Sequence, residues 1–234
     1  MSGNQTGQNL LLLGAGIVIG GLSYCLFNRI YYKMRFKNNI SKGIIYMIDE
    51  NININIFDNA NIYKSLIRLI SEDTTIKLII TTYGGNYSKC FEILHYLKQH
   101  KAGYIVYINK QCQSAGTFLA LGAKEIVMDN YSNISKIDCQ HDGYSTIYYE
   151  KMFLETKENL DGKDILKSYH SINWVNYLIE ELKKIVSDDL YSKIKDELIC
   201  SNLPHGKCYY YNDCVKLGLS IRKPVEEELI YFND

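Results

Sequence analysis

Leu78-Ile79-Ile80-Thr81-Thr82-Tyr83-Gly84-Gly85 is an apolar, β-branched run closed by a pair of glycines. Apolarity without alternation marks a strand covered on both faces, as in a parallel sheet. The Gly-Gly turn behind it can offer unpaired backbone N–H groups. Further along, the apolar run Tyr104-Ile105-Val106-Tyr107-Ile108 leads to Gln113-Ser114-Ala115-Gly116-Thr117, and residues 118–123 are again apolar. A small nucleophile at a helix start and a glycine turn with free amides are the two parts that acyl transfer by a serine requires.

The segments around these two follow one pattern. Residues 43–48 read as a first strand and 61–70 as a helix. Cys90, Ile93, Leu94 and Leu97 stand at i, i+3, i+4 and i+7, which gives a helix with one buried face. Residues 104–109 form the next strand, 114–122 a helix and 125–129 another strand. Strand and helix alternate with short connections, so the fold class is α/β with parallel strands. Beyond Tyr144 the pattern turns helical, with Trp174, Leu178, Leu182 and Ile185 on one stripe. A helix from Ser187 to near Cys200 and a short one over 215–219 complete the chain.

Ser114 would then sit at a helix N-terminus, where the dipole favours negative charge. The amides of Ala115 and Gly85 are oxyanion donors if the two loops meet, as loops at the carboxyl ends of neighbouring parallel strands do. Taken alone, Ser114 reads equally as a helix N-cap and Gly84-Gly85 as a tight turn.

The chain has 234 residues, of which 47% are hydrophobic. Residues 10–27 carry no charge, and at 1.5 Å per residue they reach about 27 Å, near the lower limit of a membrane span. Positive charge follows this run and none precedes it, which predicts a retained anchor rather than a cleaved signal peptide. The predicted organisation is a short tail (1–9), a transmembrane anchor (10–27), a basic linker (28–42) and one domain (43–234). The positive-inside rule places that domain on the cytoplasmic side.

Of the 26 Lys and Arg, five lie in residues 1–42 beside no acid, leaving 21 against 26 Asp and Glu in the domain. A mildly acidic body argues against nucleic acid as a partner. Seven unpaired-looking cysteines fit a reducing compartment. Cys200, His205, Cys208 and Cys214 form no C-x-x-C pair and read as structural groups rather than a zinc site. No metal or cofactor is called for.

Thr82-Tyr83-Gly84-Gly85, Gln113-Ser114-Ala115-Gly116-Thr117, Lys124-Glu125-Ile126-Val127-Met128-Asp129 and Ser135-Lys136-Ile137-Asp138-Cys139-Gln140 stand in an order that resembles the Clp/crotonase superfamily. Within it, the likeness is to the membrane-anchored serine dehydrogenase proteinase family, related to Clp proteases and signal peptide peptidases. The resemblance implies a spiral of strand-helix units with a helical C-terminal part. It also implies Ser114 as nucleophile, the Gly85 and Ala115 backbone as oxyanion hole, a polypeptide substrate and a homo-oligomer.

Tyr83 and Cys139 replace family prolines. Where Clp proteases place a histidine this chain has Asp138-Cys139, with His141 just beyond. Trp174 stands where the proteinase family carries a lysine. The base is therefore open among Lys157, Lys163, Lys167, His141 and His170. A catalytic lysine must be desolvated to act near neutral pH. His95 and His100 read as surface or capping groups, and Tyr144, Tyr148 and Tyr149 as packing. A membrane-tethered scaffold without a competent base is the alternative. Crotonase-like chemistry on acyl-CoA is disfavoured by the serine itself.

Overall fold

The computed structural model describes residues 39–49, 55–138, 140–141, 144–156 and 160–232. The predicted tail, the span and the linker up to residue 38 lie outside them. Among the described residues no helix is long and apolar enough to cross a membrane. Residues 43–234 form one compact unit.

Strands β1 (Ile44–Ile48), β2 (Ile76–Thr82), β3 (Tyr104–Cys112) and β4 (Glu125–Met128) lie side by side in that order, all parallel. Helices α1 (Ala60–Leu69), α2 (Tyr87–Gln99) and α3 (Ala115–Leu121) follow β1, β2 and β3 in turn. The β-branched run 76–82 forms the interior strand it predicts, with Ile76, Leu78, Ile79, Ile80 and Thr82 all buried. Ile79, Tyr107 and Val127 pack side by side on one face of the sheet with Ile44 and Tyr231.

β3 changes partner midway. It pairs with β4 from Ile105 to Ile108, then with β5 (Asn133–Ser135) at Gln111 and Cys112. Between these, the register with β2 slips from Ile80↔Ile108 to Thr82↔Cys112. Lys110 takes up the slack at φ +74°, a left-handed conformation that marks a bulge. β5 then pairs with the antiparallel β8 (Cys208–Tyr210), and β9 (Ile221–Arg222) closes the far edge beside β4. The small ribbon of β6 (Gln140–His141) and β7 (Tyr144–Ser145) stands apart.

The helical part consists of α4 (Thr146–Thr156), α5 (Gly162–Ile185), α6 (Asp188–Ile194) with a π-turn (Lys195–Ile199), and α7 (Tyr211–Leu217). Asp161 caps α5 by accepting the Asp164 amide. α7 begins four residues before the sequence places it, because the Asp213 carboxylate accepts the Tyr210 amide and starts the turn there. The stripe on α5 also differs from expectation: Leu178 and Leu182 are buried, but Trp174 is more than a third exposed. Its ring meets Tyr177 at 5.7 Å, and Tyr177 meets Phe91 of α2 edge-on at 5.3 Å. Phe91 in turn touches Phe118 of α3 at 5.0 Å. This aromatic series fixes α5 over the start of α2 and α3.

Candidate active site

Thr82 ends β2, and the next three residues must turn away from the sheet. The Thr82 hydroxyl donates to the Asp49 carboxylate at 2.7 Å and accepts the Gly84 amide at 3.0 Å. Asp49 also accepts the amides of Tyr83 and Ile56. Asn55 donates to the Gly84 carbonyl. Gly84 adopts φ +101°, and a Cβ built on it would lie 2.6 Å from Ser114 Cβ and 3.2 Å from its Oγ. Only glycine fits both the conformation and the approach. The two predicted loops therefore touch.

Ser114 precedes α3 but does not cap it. Its backbone is at φ +52°, ψ −114°, and its side chain makes no capping bond. For a residue with a Cβ this conformation costs about 1–3 kcal/mol and persists only where the surroundings impose it. Three contacts impose it here. The Ser114 amide donates to Ser135 Oγ at 2.9 Å. Thr117 Oγ1 has the carbonyls of Cys112 and Ser135 within reach of its one O–H, at 2.9 and 3.0 Å. Gly116 brings the helix so close to β2 that a Cβ there would lie 2.5 Å from Thr82 Cγ2. Freed from capping, the hydroxyl lies 2.9 Å from Tyr87 Oη.

The Ala115 N–H, at the first position of α3, has no intrahelical acceptor. Among the described residues neither it nor the Gly85 N–H donates a hydrogen bond. Gly85 and Ser114 line one cleft of about 600 Å³ with Tyr87, Asp138, Trp174 and His205. His170 also reaches it from α5.

The predicted bases are dispersed. Lys157 lies outside the described residues. His141 is on β6, with its side chain outside them too. Lys163 is exposed in the first turn of α5, and Lys167 follows one turn later, half-buried; neither lines the cleft. His170 does line it. Trp174 sits on the cleft wall one turn further on. Tyr144, Tyr148 and Tyr149 pack on one another outside the cleft, with centroids 5.6–6.2 Å apart.

Two site residues went unread as such in the sequence. His205 Nδ1 lies 3.2 Å from Asp138 Oδ2, and Asp138, fully buried, also accepts the Ser145 hydroxyl at 2.7 Å. Lys136, likewise buried, donates to the carbonyls of Ser201 and Leu203, just before His205. Burial lowers its pKa from the usual lysine value. His205 does not join Cys200, Cys208 and Cys214 in a metal site: among the described residues no three ligating side chains cluster. Cys214 is buried against the Tyr209 carbonyl, and burial pushes its thiol up to about 12.

A parallel sheet that presents a strained serine beside a glycine turn, with unpaired amides at its carboxyl edge, has the layout of a serine hydrolase of the ClpP type. The family model described as ClpP-like SDH-type serine proteinase matches residues 44–232, and the chain belongs to that family. Two uncharacterised proteins of Methanocaldococcus jannaschii are similar. MJ1495 is 30% identical over 181 residues, which cover 75% of this chain and 61% of that protein. MJ0137 is 29% identical over 188 residues, covering 75% and 63%. The chain thus spans about three fifths of the length of these relatives. Among solved structures, ClpP1 from Listeria monocytogenes superposes with a TM-score of 0.53 at 14% identity, covering 82% of this chain and 97% of that one. That likeness is one of fold.

Proposed function

We propose that this protein is a serine endopeptidase in which Ser114 attacks the scissile carbonyl and the Gly85 and Ala115 amides receive the oxyanion. The observation that carries this reading is the contact of the Gly84 turn with a serine whose hydroxyl does not cap its helix. A strained backbone at that point costs stability without serving α3, which is the pattern of a residue held for chemistry. Preorganised amides beside a nucleophile suit the tetrahedral intermediate of acyl transfer. A nitrogen base, lysine or histidine, takes the hydroxyl proton and returns it to the leaving amine.

The substrate is a polypeptide, and the protein works as a homo-oligomer, in keeping with its family. Residues 10–27 anchor it as a single-pass membrane protein, with the linker 28–42 and the domain 43–234 on the cytoplasmic side. Labelling with a fluorophosphonate probe tests the chemistry: the wild type labels, and Ser114→Ala removes the signal. A wild-type protein that fails to label in its assembled form sinks the enzyme reading.

A second reading is a membrane-tethered scaffold that keeps the fold without turnover. It is favoured by the engagement of Ser114 Oγ with Tyr87, a hydroxyl and not a base. The same absence of labelling supports it.

A further inference from the structure

We propose that the cleft beside Ser114 seats a tyrosine side chain of the polypeptide substrate, its ring against Trp174 and its phenol bonded to the Ser171 hydroxyl. This rests on the reading of that cleft as the site of peptide cleavage and gives it a selectivity.

Ser171 lies in the middle of α5, is 1% exposed and lines the cleft. Its Oγ is buried and has no hydrogen-bond partner among the described residues. A serine inside a helix can settle that need on the carbonyl four residues back. Ser168, one turn earlier, does so: its hydroxyl donates to the Asp164 carbonyl at 2.8 Å. Ser171 does not. Ser201 Oγ is unpartnered in the same way, but Ser201 does not line the cleft. On a helix it is the side chain that meets a neighbouring space, and for serine that side chain is little more than the hydroxyl. A buried hydroxyl without a partner is destabilising. Beside an open cleft, a group from the substrate can supply the missing bond.

Ser171 and Trp174 stand three residues apart on α5 and so share one face of it. The indole is more than a third exposed and is braced by Tyr177. His170 and Trp174 line both the cleft of about 600 Å³ and a second hollow of about 210 Å³, which Asn173 and Tyr177 complete. Such a wall takes a flat ring. The tip of that ring must be neutral. Among the described residues no lysine or arginine lines the cleft to pair an acidic side chain. Asp138, the carboxylate that a basic side chain would need, is engaged by His205 and Ser145. A phenol matches a serine hydroxyl bond for bond, since each donates one proton and accepts. Phenylalanine would cover the indole but leave Ser171 unpaired. Serine or threonine would pair with Ser171 but leave the indole bare.

Trp174 is the one tryptophan of the chain, so its fluorescence reads occupancy of this place directly. The test uses the full chain carrying Ser114→Ala, so that no turnover intervenes, and alanine-based hexapeptides with one Tyr, Phe or Leu. The Tyr peptide shifts the emission and binds about 10–100-fold more tightly than the Phe peptide, because a site built around a hydroxyl penalises its absence. The Leu peptide binds more weakly still. A further Ser171→Ala brings Tyr and Phe within about threefold of each other and melts no lower than its parent, since it removes an unpaired group. Equal affinities for Tyr and Phe, a preference that survives Ser171→Ala, or a markedly lower melting temperature of Ser171→Ala each overturn the assignment. These outcomes leave Ser114 in place. Failure of the wild type to react with a fluorophosphonate, with tyrosine binding intact, instead sinks the cleavage reading alone.

Discussion

The Tyr83 amide donates to the Asp49 carboxylate at 3.0 Å, across 34 residues of chain. A proline at position 83 would have no N–H to offer and would fix φ through its ring. Here the turn gains its rigidity from outside. Asp49 accepts from Tyr83, Thr82 and Ile56 together, and Thr82 passes the constraint to Gly84. The turn next to Ser114 is thus held by a carboxylate in place of a ring.

Removing that carboxylate should loosen the site before it unfolds the protein. Asp49→Ala leaves two amides and a hydroxyl without an acceptor, at about 1–3 kcal/mol for each group that water cannot reach. The melting temperature should fall by several degrees, since 1 kcal/mol shifts a domain of this size by about 2–4 °C. Labelling of Ser114 should fall more than tenfold even well below the transition. Unchanged labelling in a destabilised Asp49→Ala would show that the turn is set by something else.

Gly84→Ala tests the loop contact directly. The new methyl would meet Ser114 Cβ at 2.6 Å in a conformation that L-residues avoid. The expected result is loss of labelling by two orders of magnitude or more. Gly162→Ala is the control, with nothing within 4 Å of the added methyl and a first-turn helical position. Replacing glycine by alanine at a compatible helical site stabilises by about 0.4–1 kcal/mol, so this variant should melt slightly higher with unchanged labelling. Equal activity of Gly84→Ala and Gly162→Ala would refute the geometry.

Acid stability should depend on the C-terminal ion pair. Arg222 holds the Glu228 carboxyl at about 2, against 4.5 for a free glutamate, helped by the Val225 amide and the Tyr107 hydroxyl. A carboxyl whose folded pKa is depressed contributes stability that is complete above its unfolded value. That contribution is lost as pH falls from about 4.5 through about 2. Glu228→Gln should therefore melt lower at pH 7 by roughly 2–4 °C, equivalent to about 1 kcal/mol for a partly exposed pair. Its melting temperature should also fall less steeply than the wild type's between pH 4.5 and 2. Parallel pH curves for the two proteins would exclude the Arg222–Glu228 pair as the source.

The parallel core and the meeting of the two loops were legible because they are written locally. The 76–82 run declares a buried strand by composition, and Gly84-Gly85 and Ser114 each follow an apolar strand at its carboxyl end. Trp174 was misplaced on the buried stripe because it does satisfy the helical period with Leu178. Its burial is set by what α5 faces, which periodicity does not encode. His205 was invisible as a site residue for a related reason. It belongs to a turn with no regular structure, and its partner Asp138 lies 67 residues away. The meaning of Lys136, just past β5, is equally hidden, since it depends on the carbonyls the side chain reaches. The Lys110 bulge left no mark in the apolar run either, since φ +74° at a lysine is enforced by the two strands that claim either half of β3.

That bulge has an implication for how the molecule tolerates change. Side chains along a pleated strand alternate between faces, so one residue more or fewer reverses every orientation downstream. Lys110 is the point where β3 absorbs surplus length before Gln113 and Ser114. Deleting it would carry the phase of the upstream pleat straight into the nucleophile turn and aim the hydroxyl away from the glycines, whereas Lys110→Gly should relieve the torsion and leave the aim intact.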